Sequence, residues 1–519
     1  MSQDARTIDL LKKLQQKSNL SLPLGPGRVA VIVSPAAARS QQGQLLAFFL
    51  ANLVSRLHPV VKQLDVVFPV DHELGVVVPR WTSSTIATTT ARFLQDLCAP
   101  AQSRVVTDIT DDHDVVVGVG EIAGRECRLY VGACGWNCLL STVSECPTVG
   151  PANPIGAYAA ACFAAAEIWK TLLQPVASLL PGIPVAPLAG DFRFSTFTYG
   201  TQMGQDDPGL PSAPRLEPLT IVGVGAGGSA TAFTLGSISG ICGDLCLIDP
   251  DEVTDTNLNR LVVAAASDGQ NRTKKTELVR TILSSCTGFT VNSLPYALTD
   301  VIKGLSPVEL RHVVAAVHSR SAREQLQWET PQVVWDAAAS ETGEFYVYRV
   351  ELDRTPCLCC RFVHEQMNPE QVKAEQLAMA LGLPVASVVA KMRDNQPFTE
   401  DEAAAVAAKL QADGQVAHPP SPGQRLAEWE AEQCGKLKLS NPDDEIPIPF
   451  APVMAGVLLA GEVMKQNFFP GSVLASRYWN TLMGKFMLRN RALNPAREPA
   501  CAVCSQPVLL DQFRRRWRQ

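Results

Sequence analysis

Residues Gly223 to Gly228 form a glycine-rich turn, with the sequence Gly-Val-Gly-Ala-Gly-Gly, that could bind a phosphate group. Gly223 permits a tight turn, Gly225 lets the backbone approach a phosphate, and Gly228 lets the following helix pack closely on the strand. Gly227 lies in the same turn, and the free amides at the start of the helix attract an anion. Because glycine-rich turns also occur for packing reasons alone, the turn by itself leaves both interpretations open.

A strand and a polar loop follow this helix. The apolar run from Leu245 to Ile248 predicts a buried strand, and a loop from Asp249 to Arg260 comes after it. Asp249 lies where a ribose hydroxyl would be accepted. Asn257 and Arg260 follow in the same loop, and an NAD enzyme has no evident use for them. The order of strand, glycine turn, helix, strand and acidic loop predicts a nucleotide-binding unit.

Two cysteine pairs with CxxC spacing could bind a metal ion. Cys357 pairs with Cys360, and Cys501 pairs with Cys504. A tetrahedral zinc site needs four thiolates, and each pair supplies two of them from one turn. The spacing therefore predicts a structural zinc site that ties the end of the chain to the preceding domain, with Cys359 as a bystander. Four buried free thiols are the alternative.

The composition is that of a globular protein without a strong charge bias. The 519 residues predict two to four domains, and they are 46% hydrophobic and 18% charged, with a net charge of −6. This charge favours neither nucleic acid nor an anionic membrane surface as a partner. The apolar segments Ile155 to Ala166 and Ala451 to Gly461 are too short to span a membrane, and Met1 to Ser18 is too polar for a signal peptide. We therefore expect a cytoplasmic location.

The chain also contains an apparent internal repeat. The segments 154–170 and 449–465 each begin with proline, continue with small residues and end in Glu-x-x-Lys, 295 residues apart. His113 and His312 begin similar apolar runs that are 199 residues apart. The repeat predicts a duplicated fold whose first copy has lost its glycine turn. The two separations place about 96 extra residues in the second copy, before its last helix. Chance similarity between two alanine-rich helices is the alternative.

The nucleotide-binding unit carries a family resemblance. The turn Gly223 to Gly228, the run Ile248 to Asp251 and the loop Asn257 to Arg260 resemble the adenylation domain of the ThiF-type and ubiquitin-activating enzyme superfamily. The resemblance implies an α/β fold in which a Rossmann-like adenylation domain occurs twice, as a degenerate N-terminal copy and an active C-terminal copy with a helical insert. Members of the superfamily use ATP to adenylate the C-terminal glycine of a ubiquitin-like or sulfur-carrier protein.

The repeat and the resemblance together predict the domain order. The chain would begin with an inactive adenylation-like domain (1–198) and a linker (199–218). The first part of the active domain (219–365), a helical insert (366–440), and the second part of the active domain with its zinc-binding cysteines and basic tail (441–519) would follow. Such a chain is a pseudo-dimer by itself. The active half would therefore need no second chain, although a homodimer stays open.

The resemblance also implies roles for individual side chains. In the superfamily, an asparagine, an arginine and a lysine contact the ATP phosphates, and an acid contacts the ribose; the matching residues are Asn257, Arg260, Lys274 and Asp249. Arg260 and Lys274 would stabilise the negative charge that develops on the α-phosphate and on departing pyrophosphate. Lys275 is the alternative for the lysine, in a register shifted by one residue.

One position departs from the superfamily pattern. The superfamily has a magnesium-binding aspartate after the fourth strand, where this chain has His318, although Arg323 matches the arginine that follows. Histidine is a poor magnesium ligand because magnesium prefers oxygen. Asp336, at the end of the next predicted strand, could supply the carboxylate, and Asp251 is a further candidate. The magnesium site is therefore left open, as is the strength of the adenylating activity.

Cys434 lies in the predicted insert, where the superfamily carries its thioester-forming cysteine. A thiol is a good nucleophile toward an acyl adenylate, particularly beside a helix end or a cation. The neighbouring Glu430 and Glu432 supply no such cation. A cysteine on an ordinary amphipathic helix, without a catalytic role, is the alternative.

The leading prediction is an ATP-dependent activating enzyme that adenylates a ubiquitin-like protein and then transfers it to Cys434. A conjugating enzyme is the expected partner. The layout resembles activating enzymes of bacterial ubiquitin-like pathways, some of which serve antiviral defence against phage. The alternatives are an adenylyltransferase for a sulfur carrier without a thioester, an NAD-dependent oxidoreductase, and a non-catalytic scaffold.

Overall fold

The computed structural model describes two compact units, which comprise Met1–Phe362 with Ile446–Gln519, and Val363–Glu445. Within these limits, the described residues are 25–98, 101–109, 112–122, 124–179, 185–201, 207–317, 320–339, 343–362, 374, 377–394, 396–412, 418–426, 428–429, 448–472, 476–480, 497–499 and 501–518.

The N-terminal part of the first unit forms one sheet. Its strands are β1 (Arg28–Val33), β2 (Gln63–Val67), β3 (Gln102–Val106), β4 (Val115–Val119), β5 (Leu129–Cys134), β6 (Asn137–Ser141), β7 (Thr148–Val149) and β8 (Asp191–Ser195). The spatial order is β3-β2-β1-β4-β5-β6-β8, and β7 pairs with β5 outside this path. Neighbours from β3 to β5 are parallel, whereas β6 and β8 join antiparallel. The runs of valine in β1 and β4 suit parallel strands that are buried on both faces.

The C-terminal part of the same unit forms the second sheet. Its strands are β9 (Leu219–Val222), β10 (Cys242–Ile248), β11 (Gly288–Leu294), β12 (His312–Ala315), β13 (Val333–Ala339), β14 (Glu344–Val350) and β15 (Ser476–Asn480). The order is β11-β10-β9-β12-β13-β14-β15, with β14 and β15 antiparallel and the others parallel.

The two sheets agree in strand order and in the succession of parallel and antiparallel neighbours. The predicted α/β class is thereby confirmed, and the duplication that the sequence repeat predicts stays a prediction, which this agreement supports. The halves differ after their first strands, β1 and β9. In the first half, β1 leads into a short helix that is capped by Ser34, whose Oγ accepts a hydrogen bond from the Ala37 amide at 3.0 Å. In the second half, β9 leads into the glycine turn.

Helices cover or connect the sheets. They are α1 (Pro35–Arg39), α2 (Gln41–Val54), α3 (Ile86–Leu97), α4 (Pro154–Leu173), α5 (Ala226–Gly236), α6 (Ala266–Gln270), α7 (Lys275–Cys286), α8 (Leu298–Val301), α9 (Arg320–Trp328), α10 (Val385–Arg393), α11 (Glu400–Ala412), α12 (Phe450–Phe468) and α13 (Pro507–Trp517). Short 3-10 turns occupy Gln174–Leu179, Asp255–Asn257, Ile302–Gly304, Leu358–Phe362 and Pro470–Ser472. No helix in these ranges is long and apolar enough to cross a membrane.

The two halves of the first unit share one apolar core. Phe233 of α5 lies among aromatic rings of the N-terminal half, with its ring centroid 5.8 Å from those of Phe49 and Tyr158. Tyr158 also donates a hydrogen bond to Ser237 at 2.7 Å, so polar contacts cross the same boundary. Aromatic packing of this kind stabilises an interface beyond its buried area.

Each half also contains a buried ion pair near the end of a long helix. Glu167 and Lys170 are paired at 2.5 Å on α4, and Glu462 and Lys465 are paired on α12. In the second pair, the Tyr199 hydroxyl donates to Glu462 at 2.6 Å. Buried charges are tolerated only where such partners are present.

The second unit has a small core of its own, formed by residues of α10, α11 and neighbouring segments. The rings of Phe398 and Trp429 meet edge to face, with centroids 6.0 Å apart. The indole nitrogen of Trp429 donates to the His418 carbonyl at 2.8 Å. Lys391, which is buried, forms an ion pair at 2.7 Å with the partly exposed Glu402.

Candidate nucleotide site and zinc site

The glycine turn lies at the carboxyl end of β9, an interior strand of the second sheet between β10 and β12. Gly223 has a positive φ of 84°, and a Cβ there would lie 2.4 Å from the Ala316 carbonyl oxygen. A Cβ on Gly228 would lie 1.9 Å from the Gly223 carbonyl oxygen. Side chains are therefore excluded at both positions. Gly225 is the N-cap of α5 and has open space beside it, so a ligand can approach the backbone, with Gly227 in the first turn of the helix.

Asp249 holds the glycine turn from the end of the next strand. One carboxylate oxygen accepts a hydrogen bond from the Val224 amide at 2.6 Å, and the other accepts one from the Asp251 amide at 2.9 Å. Burial raises the pKa of Asp249, whereas the nearby Lys275 acts in the opposite direction. Each carboxylate oxygen has more than one acceptor direction. Asp249 can therefore fix the turn and still accept a hydrogen bond from a ribose hydroxyl.

The two candidate lysines have different surroundings. Lys275 is the first residue of α7; its ammonium lies 4.0 Å from Asp249 and 2.6 Å from Asp251. Lys274 contacts Glu252 at 3.3 Å and the Pro250 carbonyl at 3.2 Å. The lysine beside Asp249 is therefore Lys275, which was the alternative to Lys274 in the sequence prediction.

The loop with Asn257 and Arg260 is held by local hydrogen bonds. Asn257 is the last residue of a short 3-10 turn, and its side-chain oxygen accepts a hydrogen bond from the amide of the N-cap, Thr254, at 3.2 Å. The Arg260 guanidinium donates to the Thr256 carbonyl and to Asn259, both at 2.9 Å. These contacts give the loop a defined shape, and the roles of Asn257 and Arg260 at the phosphates stay predictions.

Asp336 does not fit the role of a direct magnesium ligand. It is fully buried, and its two oxygens accept from Arg323 and from the Tyr346 hydroxyl, both at 2.8 Å. A carboxylate that neutralises an arginine in this way has little capacity left for a cation. The carboxylate of Asp251 is 64% exposed, although it pairs with Lys275, and its donor chemistry fits magnesium. His318 lies outside the described residues.

The four CxxC cysteines come together from distant parts of the chain. Sγ of Cys357 lies 3.4 Å from that of Cys501 and 3.8 Å from that of Cys360, and Cys360 lies 3.2 Å from Cys504. All four are buried, and their sulfur atoms lie within 4.8 Å of one another. Zinc–sulfur bonds of about 2.3 Å in a tetrahedron require sulfur atoms about 3.8 Å apart. The group is therefore compatible with zinc.

Three residues near the nucleotide loop were not predicted from the sequence. Asn52, Arg56 and Arg80 belong to the N-terminal half, yet their side chains bind carbonyl groups of the segment 258–264. They carry no motif, and more than 180 residues separate them from their partners. The remaining predicted site residue, Cys434, lies outside the described part of the chain.

The second sheet, its glycine turn and Asp249 define a Rossmann-like nucleotide-binding protein. The model of the ThiF family matches residues 216–503, more than half of the chain. The protein therefore belongs to the ThiF family, and the predicted superfamily is confirmed. Membership in this family of adenylating enzymes supports an ATP-dependent enzyme and the binding of a nucleotide.

The chain also resembles individual proteins and solved structures, at sequence identities of 24% and below. An uncharacterized protein of Sinorhizobium fredii, y4jF, is 24% identical over 507 residues, which cover 94% of this chain and 91% of that protein. Crystal structures of E. coli MccB with SeMet MccA and with MccA-N7isoASN are 16% and 17% identical, each with a TM-score of 0.33 over 56% of this chain and 67% of that chain.

Proposed function

We propose that this protein uses ATP to adenylate the C-terminal carboxylate of a ubiquitin-like protein. The observation that carries the proposal is the meeting of the glycine turn, Asp249 and Lys275 at one edge of the second sheet. Together they offer backbone amides and a cation for phosphates and an acid for a ribose. The site belongs to a ThiF-family chain, which supports adenylation over the rival NAD-dependent oxidoreductase.

In the proposed reaction, the acceptor carboxylate attacks the α-phosphorus of ATP. A bond forms between the carboxylate oxygen and that phosphorus, and the bond to the bridging oxygen breaks, so that pyrophosphate leaves with its electron pair. Lys275 and Arg260 would stabilise the charge on the phosphates, with Asn257 as a further contact. Magnesium, when bound, would neutralise the same charge, and Asp251 is the carboxylate best suited to hold it.

A second step would transfer the acyl group to Cys434. The thiolate would attack the carbonyl carbon of the adenylate, forming a thioester and releasing AMP. The domain limits predicted from the sequence place Cys434 in the helical insert 366–440, between the two parts of the active domain. A conjugating enzyme would then receive the thioester. Without this step, the product would be the adenylate alone, as for a sulfur carrier.

Pyrophosphate exchange into ATP tests the first step. The full chain is assayed with ubiquitin-like proteins encoded near its gene, and we expect acceptor-dependent exchange. Arg260→Ala should lower the rate roughly 100-fold, by analogy with the loss of one charge-stabilising donor. Arg92→Ala, at an exposed position of α3, is the matched control and should behave as the wild type. Exchange at the wild-type rate in Arg260→Ala would show that Arg260 takes no part in the reaction. Failure of the wild type to bind ATP would reject the proposed function.

A further inference from the structure

Arg56, a residue of the N-terminal half, is buried against the nucleotide loop of the other half. Its guanidinium donates to the carbonyl oxygens of Leu258, of Ala264 at 3.0 Å and of Val262 at 3.4 Å. Only 4% of Arg56 is exposed. One planar group thus binds three backbone carbonyls within seven residues of chain, and it fixes their relative positions.

Asn52 orients this guanidinium. The Asn52 side-chain oxygen accepts from Nε of Arg56 at 2.7 Å, and its amide nitrogen donates to the Val262 carbonyl at 3.0 Å. Asn52 is fully buried. Since each polar group of the asparagine has a partner, Asn52 holds the arginine and the loop in one network.

Arg80 fixes the far end of the same segment. Its guanidinium donates to the Val263 carbonyl at 3.2 Å and to Asp268 at 2.6 Å. Asp268 in turn accepts from the Ala265 amide at 2.7 Å. Two arginines of the N-terminal half therefore bind a stretch of chain that begins at Leu258.

The charge of Arg56 is satisfied mainly by carbonyl dipoles. Within the described part of the chain it makes no ion pair with a carboxylate, and burial lowers its pKa to about 9, with a further contribution from Arg80. A buried cation is unfavourable unless its donors are used. The carbonyl groups of Leu258 and Ala264 would in turn lose this donor without Arg56, whereas that of Val262 would keep its bond from Asn52. The conformation of the loop therefore depends on the arginine.

The predicted phosphate contacts lie on this loop. The Arg260 amide donates to the Asn257 carbonyl at 3.0 Å, and the Leu261 amide donates to the same carbonyl at 2.9 Å. The backbone from Asn257 to Leu261 is thus a compact turn, directly joined to the carbonyls that Arg56 binds. Only a few peptide units therefore separate the Arg260 side chain from the carbonyls that Arg56 binds.

We propose that Arg56 and Asn52 are positioning residues of the nucleotide site, which act through Asn257 and Arg260. The N-terminal half, although it lacks a glycine turn, then takes part in ATP binding by the C-terminal half. This inference rests on the proposed function, because it assigns Asn257 and Arg260 to the phosphates.

ATP binding to the full chain, measured by titration calorimetry, tests this role. We expect Arg56→Ala to weaken ATP binding roughly 10-fold, as does Arg260→Ala, and Arg56→Lys to restore part of the loss because it keeps the charge but not the fork of donors. The variant with both alanine substitutions should lose less affinity than the sum of the two single losses, since residues that act through one another are not additive. Arg92→Ala should bind as the wild type.

Hydrogen exchange provides a readout that is independent of ATP. In Arg56→Ala and in the milder Asn52→Ala, we expect faster exchange of the amides at 257–264 without ATP, while the strands of the second sheet keep their protection. Unchanged exchange of the loop, equal ATP affinity in folded Arg56→Ala, or additive losses in the double variant would each overturn the positioning role. Absence of ATP binding in the wild type, with the loop effect present, would instead reject the proposed function.

Discussion

The ammonium group of Lys275 lies 4.0 Å from a carboxylate oxygen of Asp249, and the two side chains are only 9% and 7% exposed. This contact joins the start of α7 to the acid that holds the glycine turn. Lys274, which precedes the helix, is 41% exposed and faces Glu252. Lys275 is therefore the lysine that contacts the acid at the glycine turn, whereas Lys274 contacts a different carboxylate.

The first prediction separates these two lysines. Lys275→Ala should lower the rate of pyrophosphate exchange by roughly 100-fold, since it removes a buried cation beside the proposed phosphates. Lys274→Ala should lower it by less than about threefold, since surface ion pairs contribute little. The exchange rates of both variants are measured at saturating ATP. The reverse order of effects would show that the family lysine is Lys274.

The second prediction concerns the cysteine group. We expect about one zinc ion per chain in the purified protein, measured by atomic emission. Cys501→Ser should lose the metal and lower the midpoint of thermal unfolding by roughly 5 °C or more. Cys359→Ser is the matched control, because Cys359 is buried beside the group but is not part of it. Full zinc content in Cys501→Ser would contradict the assignment.

The third prediction concerns Cys434. With ATP and an acceptor protein, the wild type should form an adduct that a thiol reductant removes, whereas Cys434→Ala should form none and keep its pyrophosphate exchange. Cys98→Ala, which removes an exposed cysteine of the N-terminal half, should form the adduct normally. Gel electrophoresis without reductant measures both. A reductant-sensitive adduct in Cys434→Ala would show that another cysteine forms the thioester.

The fourth prediction is a pH dependence in the second unit. Burial would raise the pKa of Glu402, but hydrogen bonds from Lys391, Ser387 and the Thr399 amide lower it to about 2. Because the folded-state pKa is below the ordinary value of about 4.3, the contribution to stability is present at neutral pH and disappears as pH falls from about 4 to 2.

Glu402→Gln should accordingly destabilise this unit by about 1 to 2 kcal/mol at pH 7, a modest effect because the carboxylate is partly solvated. The difference between variant and wild type should vanish near pH 2, as followed by hydrogen exchange of the amides of α10 and α11. Glu400→Gln, at an exposed position of the same helix, is the control. An equal difference at both pH values would show that Glu402 acts without its charge.

The strands and the principal helices were predictable because their apolar runs are local. The sequence predicts a strand at Leu245 to Ile248, and the structure has one at Cys242–Ile248. The glycine turn was equally recognisable, since Gly223 and Gly228 exclude any Cβ. The cysteine group was predictable from spacing because each knuckle is a single turn.

The contacts between the N-terminal and C-terminal halves could not be predicted from local sequence patterns. Arg56 is an ordinary residue after a helix, and nothing nearby indicates that its partners lie more than 200 residues away. The burial of Asp336 against Arg323 was missed for the same reason: both residues fit the expected pattern, and only the fold shows that they neutralise each other. The lysine register was left open because it depends on where α7 begins.

The core that extends from Phe49 and Tyr158 to Phe233 also bears on how the protein responds to dilution. In an enzyme assembled from two chains, mass action separates the partners once their concentration falls below the dissociation constant. Here the corresponding contacts are intramolecular, so their effective concentration is independent of how many copies a cell contains. A single molecule therefore retains the complete interface between its halves.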